Sequence, residues 1–194
     1  MPAPGDLARR RLIAPAALHG AARAAVRCER QYLRVSAVLP SAGADELEAL
    51  AREIEGFPDG PDPYLHSRWI LHAIAVGSAE SVRWMVARGV ELDFLELDGY
   101  TPVHAVLERA REDRLELLDL LLSAGAPVDR KGVNDWTPAH KAAASDDVAA
   151  LRVLVAHGAD LSIRTAIDDY ATPLEEARHL GKLAAVAYLE SLAD

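Results

Sequence analysis

Three histidines are the residues best equipped for chemistry: His72, His104 and His140. Imidazole is a common zinc ligand and general base, so three of them at regular intervals suggest a metal or proton-transfer site. His140 lies in "DWTPAHKAAASDD" (135–147), where Thr-Pro precedes it, Lys141 adjoins it and acids follow. Glu175-Glu176 and Asp168-Asp169 are the carboxylate pairs that could do acid–base work. Cys28 is the single cysteine, which excludes an intrachain disulfide or a cysteine-based zinc site. No phosphate-cradling glycine loop, G-x-S-x-G, H-E-x-x-H or usefully spaced Cys/His pair is present.

The regular spacing of the histidines belongs to a longer pattern. "GYTPVHAVLE" from Gly99, "DWTPAHKAAA" from Asp135 and "YATPLEEARH" from Tyr170 align, and "SRWILHAIAV" from Ser67 keeps Leu71 and His72 without Thr-Pro. Anchored on Trp69, Thr101, Thr137 and Thr172, the intervals are 32, 36 and 35 residues. The second halves agree too: "SVRWMVARGVEL", "LLDLLLSAGAPV" and "ALRVLVAHGADL" superpose without gaps, and "AVAYLESLAD" closes the series. Val82, Leu118, Leu151 and Val186 fall in one column, and Met85, Leu121, Leu154 and Leu189 in another. Trp84 aligns with Leu120, Val153 and Tyr188 and is expected in the core. Gly89, Gly125 and Gly158 each follow a helical pattern where positive φ is wanted. Each unit therefore reads as two short helices followed by a loop.

These residues resemble the ankyrin repeat, with its period of about 33 and its T-P-L-H-x-A signature. The resemblance covers about residues 65 to 194. Trp69-Ile70 replaces Thr-Pro in the first unit, Glu175 replaces the histidine in the last, and about three extra residues lie within "ERAREDR" (108–114). The resemblance implies that Thr and Pro start the first helix of a unit and that the histidine knits neighbouring loops. Pro suits the first helical position, since its missing N–H had no helical partner there, and Thr can cap. Stacked helices lie about 8–10 Å apart, whereas zinc needs each nitrogen within about 2.1 Å of one point. The three histidines are therefore read as scaffold, with no catalytic, cofactor or metal site. Adjacent helical residues such as Glu175 and Glu176 diverge, and Asp168-Asp169 reads as a solvated loop tip.

Upstream, "ADELEALAREIEG" places Leu47, Leu50, Ala51 and Ile54 at helical spacing before Gly56. Gly56 precedes Trp69 by 13 residues, against Gly-to-Thr intervals of 12, 12 and 14 in the units. Further back, Leu18, Ala21, Ala25, Cys28 and Tyr32 form an apolar stripe opposite Arg23, Arg27, Arg30 and Arg34. Residues 1–64 are accordingly expected to form N-terminal capping helices with a degenerate first repeat. They precede four repeats at about 65–96, 97–132, 133–165 and 166–194, all in one continuous domain. The whole is expected to be an all-α ankyrin-repeat solenoid. Helices should take up well over half of the chain, with non-helical fingers near 92–101, 128–137 and 161–172.

Hydrophobic residues make up 51% and charged residues 26%, enough to bury a core. The net charge of −9 argues against a nucleic-acid surface. The charge is uneven: residues 1–34 carry +5 and the remainder −14. No apolar run of about 18 residues exists to span a membrane. The three arginines before an apolar patch at the N-terminus resemble a leader, but His19, Gly20 and Arg23 interrupt the patch, and cytoplasm is the expected location.

In ankyrin-like domains partners are bound by fingertips and inner helices, so the resemblance implies contact residues by position. The fingertips are Leu97, Asp98 and Tyr100, then Val133, Asn134 and Trp136, then Asp168, Asp169 and Tyr170. The inner-helix positions are Glu108, Arg109, Ala144, Ser145 and His179. Three fingers each present an aromatic, the type that binding hot spots favour. No enzyme domain or membrane anchor is expected to accompany the repeats. The expected function is thus a non-enzymatic, stand-alone inhibitor or adaptor that is monomeric or weakly homo-oligomeric. Its expected partner is a basic protein, approached by an acidic surface. The Ala- and Arg-rich composition suggests a GC-rich bacterial genome, where an immunity or antitoxin protein fits. The alternatives are a small-ligand or enzymatic pocket around Lys141, Glu108 and His179, and a self-associating scaffold.

Overall fold

A computed structural model describes residues 15–166 and 170–192. Ten α-helices and one 3-10 turn account for its secondary structure, and no strand runs among the described residues. In chain order they are α1 (Pro15–Val38), α2 (Ala44–Glu53), α3 (Trp69–Val76), α4 (Ala79–Ala87), α5 (Pro102–Glu108) and α6 (Arg114–Ser123). The 3-10 turn (Val133–Asp135) precedes α7 (Pro138–Ala144), α8 (Val148–Ala156), α9 (Pro173–His179) and α10 (Leu183–Glu190). Odd-numbered helices stack as α1–α3–α5–α7–α9 and even-numbered helices as α2–α4–α6–α8–α10, each pair flanked by the next. This is an all-α helical-repeat solenoid.

Local chemistry sets the helix ends. Pro102, Pro138 and Pro173 open α5, α7 and α9, and the hydroxyls of Thr101 and Thr172 accept the backbone N–H of His104 and Glu175. Gly125 adopts φ +95° where α6 ends, a left-handed conformation that strains any residue with a Cβ. That turn lets Ala126 N–H reach Leu121 O at 3.0 Å. The helices are short because these stops recur, and among the described residues they take up somewhat over half. The balance lies in the fingers and the turns between paired helices.

The aligned columns form the core. Val82, Leu118 and Leu151 are buried, as are Met85, Leu121, Leu154 and Leu189, while Val186 is half-buried. Trp84 is half-buried rather than interior, like its column mates Leu120, Val153 and Tyr188. It lies parallel to Phe57, with ring centroids 6.0 Å apart, and beneath Arg88.

The loss of Thr at position 69 has a packing reason. Trp69 is fully buried and stacks on Tyr32 of α1 at 6.3 Å, with Phe57 edge-on at 5.6 Å. Val35 of α1 and Leu39, the residue after its end, are buried in the same core, and Leu39 O accepts Ser78 N–H at 2.9 Å and the Ser81 hydroxyl at 2.7 Å. A large ring where other units carry a threonine thus gives α1 an apolar seat on α3. Cys28 and Tyr32 are half-buried on this side of α1, but Ala25 of the same stripe is exposed. The reason is length: at 1.5 Å per residue the 24-residue α1 runs about 36 Å, against about 12 Å for the 8-residue α3. No described helix is long and apolar enough to cross a membrane.

Candidate functional site

Each finger is a narrow loop closed by main-chain hydrogen bonds. Glu96 N–H donates to Tyr100 O at 2.9 Å, Gly132 N–H to Trp136 O at 2.8 Å and Thr165 N–H to Ala171 O at 3.0 Å. The second finger turns through Asn134 (φ +57°) and Asp135 (φ +59°), residue types that tolerate the left-handed region. Successive fingers are also joined: Val133 N–H reaches Gly99 O at 3.0 Å, and Lys131 Nζ reaches Arg164 O at 2.9 Å. Asp135 Oδ2 takes the N–H of Ala166 at 2.5 Å.

The histidines make the deeper seam. His104 Nε2–H donates to Trp136 O at 3.1 Å, and its Nδ1 lies 2.9 Å from the Thr101 hydroxyl. His140 repeats this one unit on, with Ala171 O at 3.0 Å and the Thr137 hydroxyl at 2.8 Å. Burial, opposed by the carbonyl hydrogen bond, lowers both rings, His104 to about 4, so both are neutral at pH 7. His72 departs from the pattern. Its Nε2 bonds backwards to Asp62 at 3.1 Å, and that buried carboxylate also accepts the N–H groups of Tyr64, Leu65 and Ser67. Among the described residues no three His, Cys, Asp or Glu side chains gather to hold a metal. Glu175 is fixed by two contacts to Arg164 at 2.7 and 2.9 Å and by Thr172 N–H. Those bonds pull it down to about 2, a poor setting for a general acid.

The surface above this seam holds most of the expected contact residues. Leu97, Asp98, Val133, Asn134 and Tyr170 are exposed on the fingers. Tyr100 and Trp136 are half-buried at the finger bases, so only the third finger presents a freely exposed aromatic. Asp168 and Asp169 lie outside the described residues. On the inner helices Glu108, Ser145 and His179 are exposed and Ala144 is half-buried.

Arg109 does not belong to the contact surface. Its guanidinium is buried, bonded to Ile74 O, to Gly77 O at 2.9 Å, and to both carboxylate oxygens of Asp113 at 2.7 Å. The extra residues between α5 and α6 turn the chain inward there. Arg109 thus gives Ile74 O a donor and, together with Arg111 Nη1 at 2.7 Å, serves Gly77 O, so the carbonyls that end α3 are paired.

Two polar links cross the groove floor. The Tyr100 hydroxyl donates to Glu108 Oε2 at 2.6 Å, and Lys141 Nζ reaches Glu108 Oε1. The first link, with burial, pushes the Tyr100 phenol up to about 12. Burial raises Glu108, but hydrogen bonds from Lys141 and Tyr100 outweigh it and the net shift is downward. Beside this network a cleft of about 530 Å³ opens between α3, α5 and the first finger, lined by Leu71, His72, Ala75, Asp98, Ala105 and Glu108 among others. Lys141 and Trp136 line a separate hollow of about 80 Å³.

The family model for ankyrin repeats, in three copies, matches residues 69–165. Among curated proteins, the probable E3 ubiquitin-protein ligase XBOS34 of Oryza sativa subsp. japonica is 28% identical over 62% of this chain and 23% of its own length. The RelA-associated inhibitor of Mus musculus is 31% identical over 55% of the chain and 12% of its own length. The B-cell lymphoma 3 protein homolog of Mus musculus is 29% identical over 82% of the chain and 33% of its own length. This chain thus spans a third or less of each of these relatives. A repeat of paired helices, Thr-Pro starts, loop-knitting histidines and a family match over half its length together assign the chain to the ankyrin-repeat family, whose repeats serve as protein-interaction modules.

Proposed function

We propose that this chain is a non-enzymatic inhibitor or adaptor that binds a basic protein through its finger loops and concave helices. The supporting observation is a set of exposed finger side chains on loops already locked to one another. Leu97, Val133 and Tyr170 project from backbones that hydrogen bonds and the histidine seam hold in place. Preorganised loops lose little entropy on binding, and exposed apolar and aromatic tips supply anchors. Around them Arg68, Arg130, Lys131, Lys141 and Arg164 each pair with a carboxylate. The surplus acid of the body, −14 outside residues 1–34, therefore sets the sign of the surface and favours a basic partner. The narrower forms of the proposal are a cytoplasmic immunity protein for a basic toxin, and one continuous domain in which residues 1–64 cap four repeats. A relative named as an inhibitor supports the occluding mode.

Affinity capture with mass spectrometry tests the reading, comparing the native chain with Leu97→Ala/Tyr170→Ala. Recovery of one basic protein by the native chain and its loss by the variant is expected. Recovery of chaperones alone, equally by both, would refute it. The cleft of about 530 Å³ favours a second reading, because small-ligand pockets fall at about 300–1,000 Å³. A metabolite that raises the melting temperature by several degrees would select it.

A further inference from the structure

Residues 23–30 of α1 are helix on which no other described element packs. Tyr32 sits on Trp69 and Leu39 meets Ser78, so α1 runs parallel to α3 and its earlier turns continue past the start of α3. From residue 23 to residue 30 every side chain is exposed except half-buried Cys28. Free helix of this length is marginal in water on its own, and docking would stabilise it. Arg23, Arg27 and Arg30 fall at i, i+4 and i+7 on one stripe, and none has a partner among the described residues. Arg34 alone on that stripe has one, Glu53 at 2.5 Å. Val26 and Leu33, both exposed, line the stripe's flank.

The matching anionic surface lies on the same chain, out of reach in cis. Half-buried Tyr32 and buried Val35 anchor the C-terminal part of α1, and the helix runs unbroken over its 24 residues, so its earlier turns cannot fold back onto the fingers. In the cleft between α3, α5 and the first finger, Asp98 and Glu108 face solvent over Leu71, Ala75 and Ala105. Asp98 holds a single contact, Tyr100 N–H at 3.2 Å on Oδ1, leaving Oδ2 open. Glu108 is already held by Tyr100 and Lys141, so Asp98 is the carboxylate left open, and above an apolar floor it fits arginine, whose stem packs while its fork pairs. A body carrying −14 is repelled by lipid phosphates and by nucleic acid, which disfavours those two occupants for α1.

We infer that α1 docks its arginine stripe into the acidic cleft of a second copy of this chain. The contact is head-to-tail, so each copy uses α1 in one interface and its groove in the other. Because this rests on the groove's being the binding surface, self-association competes with the partner and withholds the groove from it at high concentration.

Sedimentation velocity tests this on the native chain, Arg23→Glu/Arg27→Glu/Arg30→Glu and Asp98→Lys. Helix content from circular dichroism shows that each variant folds. The native chain is expected to associate, with affinity falling roughly tenfold or more from about 0.05 M to about 0.5 M salt. Each variant alone should stay monomeric, and an equal mixture should form one-to-one dimers, since each supplies the half that the other lacks. Monomeric native protein throughout, or self-association that survives the triple substitution, overturns the inference. So does loss of association in the triple variant alone, which removes the cleft as acceptor. Binding of phosphatidylserine vesicles by the native chain but not by the triple variant would assign α1 to lipid instead. None of these outcomes bears on partner capture through Leu97 and Tyr170, so the two readings fail separately.

Discussion

Acid should unlock the histidine seam before it protonates the carboxylates. His104 is neutral in the folded chain, donating from Nε2 to Trp136 O and accepting the Thr101 hydroxyl at Nδ1. Burial lowers it from 6.5 to about 4. The folded pKa lies below the unfolded one, so the unfolded chain binds the proton more readily between those values. The stabilisation is complete above about pH 6.5, is lost steadily as pH falls towards about 4, and changes no further below that. The gap from 6.5 to about 4 corresponds to about 3 kcal/mol, of which about 2 kcal/mol is gone by pH 5. His140 is lowered for the same reason and adds in the same direction. Glu108, Asp113, Asp135 and Glu175 are lowered carboxylates. Their contributions fade only as pH falls below the ordinary carboxylate range, beneath this window. Urea unfolding at about pH 7, 6 and 5, followed by circular dichroism, measures the slope, with His104→Gln as the non-titrating control. The native chain should lose about 2 kcal/mol more than the variant over that range. Equal slopes, or a folded-state NMR titration of His104 near its ordinary value, would refute the argument.

Four further substitutions probe the scaffold and the surface separately. His140→Ala should cost about 1–3 kcal/mol of folding stability, because Ala171 O keeps only its Thr165 N–H donor and the Thr137 N–H and hydroxyl lose their acceptor at Nδ1. Trp136→Ala should cost less stability, yet weaken partner binding by about 2 kcal/mol, and the reverse ranking would mean the roles are exchanged. In Gly125→Val the added Cβ meets no atom within 4 Å, so the left-handed backbone is the main opposition, at about 1–2 kcal/mol or more. Calorimetry showing an unchanged melting temperature would contradict that. Arg109→Met strands Ile74 O and the Asp113 carboxylate, while Gly77 O keeps Arg111 as a donor, which should cost about 3 kcal/mol by urea unfolding, and a loss below about 1 kcal/mol would mean that water replaces the guanidinium.

What repeats in this chain was readable from its letters, and what is unique to one place was not. Thr-Pro starts, glycine stops and the columns through Leu118 and Leu121 recur, so aligning the chain with itself exposed them. Their physics is local to each unit. Arg109 occurs once, in an insertion without a counterpart, and its neighbour Glu108 points outward, so position alone put both on the surface. The Asp62 staple and its reversed partner His72 also lack a copy elsewhere. Trp84 was drawn too deep because its column holds apolar residues, and hydrophobic identity does not separate the rim of a core from its centre. The link from Tyr100 through Glu108 to Lys141 joins residues as much as 41 positions apart, a proximity that only the stacking of α5 on α7 creates.

The histidine seam also bears on how such an array can change over generations. In the two junctions that His104 and His140 make, the acceptor is a main-chain carbonyl, that of Trp136 in one and of Ala171 in the next. A carbonyl is supplied by any amino acid, so the junction does not depend on the letter at that position, and a large aromatic and a methyl group serve alike. Units can be duplicated, lost or exchanged without a matching change across the joint. The finger bases are left free to vary in sequence while the joint that holds them stays the same.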